Sequence, residues 1–105
     1  MHPEILRHKD AIAELCRRFG VTRLEVFGSA ARREDFDPAR SDVDLLVEFG
    51  PGVKRSFRTL FAFEDAAASV FRRRVDLVER EAVEESINLP RRHRILSEAR
   101  PIYPA

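Results

Sequence analysis

One cysteine, Cys16, stands alone in a chain of 105 residues. It has no partner for an internal disulfide, so the fold must be held by burial and hydrogen bonding. The sequence also lacks any apolar run near the roughly 20 residues of a membrane span. It has no basic start followed by a short apolar stretch, as in a signal peptide, and a cytoplasmic location is the default expectation. Charge of one sign is missing too: 19 Lys and Arg against 18 Asp and Glu leave a net charge of +1. With no broad basic field, DNA is not an expected partner. No repeat, low-complexity tract or linker divides the chain, and its length suits a single domain over residues 1–105 without a second helical one.

What is present is a globular balance, with 44% hydrophobic and 35% charged residues. Pro3 can open a helix at its first turn, where a missing N–H does little harm, and Ile5, Ile12, Leu15, Cys16 and Phe19 then recur at helical spacing up to a stop at Gly20. Residues 22–27 alternate as a strand ending at Gly28-Ser29. A short helix over 30–33 and a polar loop over 34–41 lead to a second strand at 42–49, which Gly50-Pro51-Gly52 punctuates. Phe57, Leu60, Phe61, Glu64, Ala67, Ala68 and Phe71 suggest a helix with a wide apolar face, closed by Arg72-Arg73-Arg74. A third strand at 75–79, helices at 82–87 and 91–99 on either side of Pro90, and an extended piece at Ile102-Tyr103 complete the order. The expected fold class is α/β (α+β), a small mixed sheet flanked by helices.

The chemistry sits at Asp42 and Asp44. Side chains two apart in a strand share a face, so these carboxylates point one way while Val43 and Leu45 point into apolar packing. Adjacent carboxylates resist joint ionisation unless a cation is present. Hard oxygen ligands suit Mg²⁺, which binds through one or two carboxylates and takes waters and substrate phosphates for the rest of its shell. A phosphate-bearing ligand is therefore implied. Gly28 permits a tight turn whose N–H groups can approach an anion, Ser29 can donate a hydroxyl to a phosphate oxygen, and a helix beginning there would add a favourable field. Arg32 is placed to touch phosphate. Ser41 belongs to the same nucleotide-binding set and orders the loop entering the strand.

The segment Val26-Phe27-Gly28-Ser29-Ala30-Ala31-Arg32, followed by Ser41-Asp42-Val43-Asp44-Leu45-Leu46-Val47, resembles the signature of the polymerase β-like nucleotidyltransferase superfamily. The likeness runs from about residue 21 to 78, and the chain's length is that of the minimal branch. The resemblance implies a third carboxylate from a later strand, for which Asp76 between Val75 and Leu77 is the match. It implies that Asp42, Asp44 and Asp76 are catalytic and hold two Mg²⁺ ions, with ATP as substrate. It also implies an antitoxin paired with a HEPN-type RNase toxin, AMP being transferred to a toxin tyrosine. Neutralisation by binding alone, or transfer to a small molecule or RNA, would leave the same motif. A homo-oligomer or a hetero-complex is compatible with it.

Other residues have plainer readings. His2, His8 and His93 lack metal-like spacing and are expected at the surface, while Cys16 fits the apolar stripe of the first helix as a buried thiol. Phe57, Phe61, Phe63 and Phe71 are expected in the core, with some left for a protein interface in so small a domain. Arg33 and Arg72 to Arg74 suggest a solvated face or partner patch, and the basic segments at Arg17-Arg18, Arg72 to Arg74 and Arg91 to Arg94 could meet RNA or an acidic protein.

Overall fold

In the computed structural model, residues 1–32, 35–54 and 56–104 are described. The expectations for Arg33 and Glu34 lie outside them. Ten elements follow in the order α1 (Pro3–Leu6), α2 (Lys9–Phe19), β1 (Val21–Phe27), α3 (Ser29–Arg32), β2 (Val43–Phe49), α4 (Phe57–Phe71), β3 (Val75–Glu79), α5 (Arg80–Glu84), α6 (Leu89–Glu98) and β4 (Arg100–Tyr103). The sheet order is β3-β2-β1-β4. β1 runs antiparallel to β2 and β4, while β2 and β3 are parallel, so the sheet is mixed as expected.

Both faces of the sheet are covered, and this explains why β2 is buried almost throughout instead of alternating. One face carries Leu24, Val26, Val43, Leu45 and Val47 against Ile12, Leu15 and Cys16 of α2 and Phe63, Ala67 and Phe71 of α4. Full burial of a side chain such as Phe63 contributes about 1.5–3 kcal/mol. The other face carries Phe27 and Leu46 against Val83 of α5 and Ile95 and Ala99 beside α6. Glu25 lies on that second face, 3% exposed. Arg23 Nε donates to it at 3.1 Å, and Arg80 at the head of α5 completes the clamp. A buried carboxylate thus anchors α5 to the sheet.

Helix ends follow local chemistry. Gly20 stops α2 at φ 71°, as its position predicts. Ser56 caps α4, its Oγ accepting from the Thr59 N–H, and Arg72 ends that helix in the left-handed region at φ 56°. Several expected boundaries move. The first helix is broken at Arg7-His8, and the His2 N–H bonds the Ala30 carbonyl at 2.9 Å, tying the chain start to α3. Pro90 lies inside the first turn of α6, where its missing N–H costs nothing, and Asn88 Oδ1 caps that helix by accepting from the Arg91 N–H. α5 occupies 80–84 rather than 82–87, leaving Ile87 98% exposed.

The plain readings divide similarly. Cys16 is fully buried, and burial pushes its thiol up to about 12, away from nucleophilic use. His93 is exposed, but His2 and His8 are half-buried. His2 Nδ1 accepts the Glu4 N–H at the start of α1, and the His8 ring lies edge-on to Phe71. Arg73 is not merely solvated: its guanidinium lies over Phe36 and donates to the Ser41 carbonyl, tying the end of α4 to the 36–41 loop. Phe63 and Phe71 are core, whereas Phe57 and Phe61 are 77% and 59% exposed and stacked on each other.

Candidate active site

Register brings the carboxylates together. Phe27 pairs with Asp44 across β1 and β2, and Asp44 pairs with Asp76 across β2 and β3. Residues directly opposite in a sheet share a face, so Asp44 and Asp76 stand side by side on the face that carries Phe27. Asp42 lies just ahead of the first ladder position of β2, one residue later than the strand start expected from sequence, and like Asp76 it is exposed. Asp44 is half-buried.

Asp44 is the electrostatic centre of this group. Its carboxyl is pushed up to about 6, first by burial and then by the neighbouring Asp76 and Asp42, with Arg32 opposing the shift. A set of oxygen donors that disfavour each other's ionisation is relieved by a divalent cation. Among the described residues no group of three His, Cys, Asp or Glu side chains is gathered closely enough to hold a metal ion by itself. Mg²⁺ commonly binds through only one or two carboxylates and takes waters and substrate phosphates for the rest of its shell.

The Gly28-Ser29 turn adjoins the carboxylates. Gly28 turns the chain at φ 71° and accepts through its carbonyl from the Ala31 and Arg32 N–H groups, starting α3 at Ser29. With four residues, α3 is a single turn, so its contribution comes from local N–H groups rather than from a long dipole. A cavity of about 350 Å³ is lined by Phe27, Gly28, Ser29, Arg32, Asp44, Arg94, Ile95 and Glu98. Gly28, Ser29, Arg32 and Asp44 are therefore gathered at one place. Ser41 is occupied elsewhere: its Oγ accepts the Asp37 N–H at 2.9 Å, which orders the loop before β2.

α6 supplies a wall that the sequence reading did not place here. Arg94 and Glu98 are four apart and so share a helix face, with Ile95 between them packed on Phe27. Their spacing is visible in the sequence. Nothing local, however, says that this helix lies over a turn more than 60 residues earlier. A larger cavity of about 600 Å³ lies at the other end of β2, by Thr22 and Phe49. Its charged lining is Glu48, Glu79, Glu81 and Glu84, which would repel a polyphosphate.

Comparison with known proteins bears on the family and the fold. The nucleotidyltransferase domain family matches residues 8–103. A Methanocaldococcus jannaschii protein described as a candidate protein adenylyltransferase is 33% identical over 91 residues, spanning 87% of this chain and 89% of its own. A solved structure described as a candidate minimal nucleotidyltransferase superposes with a TM-score of 0.71 at 36% identity, covering 96% of each chain. A crystal structure of a toxin–antitoxin with AMP-PNP superposes with a TM-score of 0.66 at 16% identity, covering 90% of this chain and 72% of that one. At that identity the likeness is one of fold.

Proposed function

Because the chain belongs to the nucleotidyltransferase domain family, we propose that it transfers AMP from ATP, with Mg²⁺, to a tyrosine of a HEPN-type toxin and so acts as an antitoxin. The observation that carries the transfer is the pairing of Asp44 with Asp76 beside the Gly28-Ser29 turn and its cavity. The protein acceptor is supported by the M. jannaschii relative described as a protein adenylyltransferase, and a toxin partner by the toxin–antitoxin fold neighbours.

In this reading Asp42, Asp44 and Asp76 hold the metal, which when bound supplies positive charge against the phosphate oxygens. Gly28 and Ser29 seat the phosphates through N–H and hydroxyl donors, and Arg32 adds a cation. Asp76 accepts the proton of the attacking hydroxyl. The hydroxyl oxygen bonds to the α-phosphorus as the bond from that phosphorus to the bridging oxygen breaks, and pyrophosphate leaves in line with the attack.

Purified protein, Mg²⁺, α-labelled ATP and a HEPN-type protein from the neighbouring reading frame test the proposal. Label should enter the toxin and be lost with Asp42→Ala and Asp44→Ala; labelling that persists in both variants rejects the assignment. The exposed Phe57 and Phe61 pair supports a second reading, in which masking by a bound surface suffices. Protection of cells by an Asp42→Ala/Asp44→Ala double variant as complete as the parent's would favour it.

A further inference from the structure

Arg32 lines the cavity beside Gly28, Ser29 and Asp44, yet its guanidinium is engaged by protein carboxylates. Nε donates to Asp35 Oδ2 at 2.8 Å, and Nη1 donates to Glu98 Oε2 at 2.9 Å. The two bonds differ in kind. Asp35 is three residues away, so that contact is a local clasp. Glu98 is 66 residues away on α6, and its bond joins two walls of the cavity.

A carboxylate offers a guanidinium the same charge-assisted oxygen acceptor that a phosphate does. In a cavity suited to a polyanion, Glu98 adds negative charge next to Asp44. Both features make sense if its place on Arg32 is one that a phosphate oxygen takes over. Glu98 also has somewhere to go. Arg94 lies one turn earlier on the same face of α6, lines the same cavity, and has no ion-pair partner among the described residues.

We infer that Glu98 is an internal stand-in for a substrate phosphate: it holds Arg32 oriented in the nucleotide cavity and sets nucleotide affinity by competing for that guanidinium. Arriving triphosphate displaces the carboxylate, which swings toward Arg94. The inference rests on the triphosphate reading of this site and adds the residue that opposes binding there.

Calorimetric titration of MgATP into the wild type, E98Q, R32A and the E98Q/R32A double variant tests it. E98Q should bind about two- to fivefold more tightly, the factor carried by an exposed ion pair. R32A should bind more weakly, and E98Q should add less in the R32A background than in the wild type, since only its through-space repulsion is relieved once that guanidinium is gone; an equal gain in both backgrounds overturns the inference. Equal or weaker binding by a normally melting E98Q overturns the inference. If E98Q melts well below the wild type, E98D takes its place, with its shorter stem loosening the pair; the same tightening is expected, and its absence is equally decisive. Wild-type protein that takes up no MgATP sinks the nucleotide reading and this inference together. Wild-type binding that is indifferent to Glu98 sinks this inference alone.

Discussion

Gly28 leaves the space that the Asp44 carboxylate fills: a Cβ built on the glycine would overlap Asp44 Oδ2 and lie 3.3 Å from its Cγ. The turn proposed to seat phosphate and the carboxylate proposed to hold metal are thus one steric unit. Register explains the contact, since Asp44 pairs with Phe27, the residue before the turn.

Gly28→Ala should therefore fail in two ways. The left-handed φ of 71° costs an L-residue about 1–2 kcal/mol. The new methyl must also push Asp44 away from its place opposite Asp76. Thermal melts should show a lower apo melting temperature and loss of the stabilisation that MgATP is expected to give the wild type. An alanine variant that melts and responds like the parent would show that the close approach is unimportant.

The raised Asp44 pKa gives a pH dependence with a definite sign. The folded-state value is about 6, above the ordinary 3.8, so the folded protein holds this proton more tightly than the unfolded chain. Metal-free protein should be most stable with respect to this group below pH 4, and should lose that contribution as pH rises to about 6. Asp44 is half-buried, and after solvent screening the span is on the order of 1 kcal/mol. Asp44→Asn should flatten this part of the profile, leave the metal-free domain at least as stable at pH 7, and abolish stabilisation by MgATP. Melting curves from pH 4 to pH 7 check all three; marked destabilisation of the metal-free variant would give Asp44 a structural role instead.

Glu25 lies on the same face of the sheet as the site, two residues before Phe27 in β1. It is buried between Arg23 and Arg80, and Arg80 also reaches Glu84 Oε2 at 3.5 Å, so the clamp fixes the start of α5 on the sheet. Glu25→Ala strands a mostly buried guanidinium and should cost about 3 kcal/mol. That corresponds to a drop of roughly 10–20 °C in melting temperature for a domain of this size. Glu48→Gln, an exposed change on the neighbouring strand, should stay within about 0.5 kcal/mol. Equal melting of the two variants would remove the anchoring role of Glu25.

The parts of this fold that were legible in the sequence are those governed by short-range rules. The strand at 75–79 was readable with its limits, as were the stop at Gly20 and the helix from Phe57 to Phe71. Each is written by alternation, by a glycine's freedom, or by helical spacing within one segment. The break at Arg7-His8 was not readable, since no glycine or proline marks it, and neither was the hydrogen bond that ties His2 to Ala30. Phe57 and Phe63 look alike in sequence, and the helix's docking angle decides that one is exposed and the other buried. Arg73 looked like a surface charge until the 36–41 loop came to lie under it.

The sequence by itself determined the kinds of group at the site: a glycine turn with a hydroxyl after it, and aspartates spaced to share a face. Strand periodicity makes that inference local, since two residues along a strand return to the same side whatever the rest of the chain does. Only the tertiary structure decided that Asp76 stands opposite Asp44, that Gly28 yields its space to that carboxylate, and that α6 closes the cavity with Arg94 and Glu98. Those relationships depend on strand register and helix docking, which are fixed by burial on the two faces of the sheet rather than by neighbours in the chain.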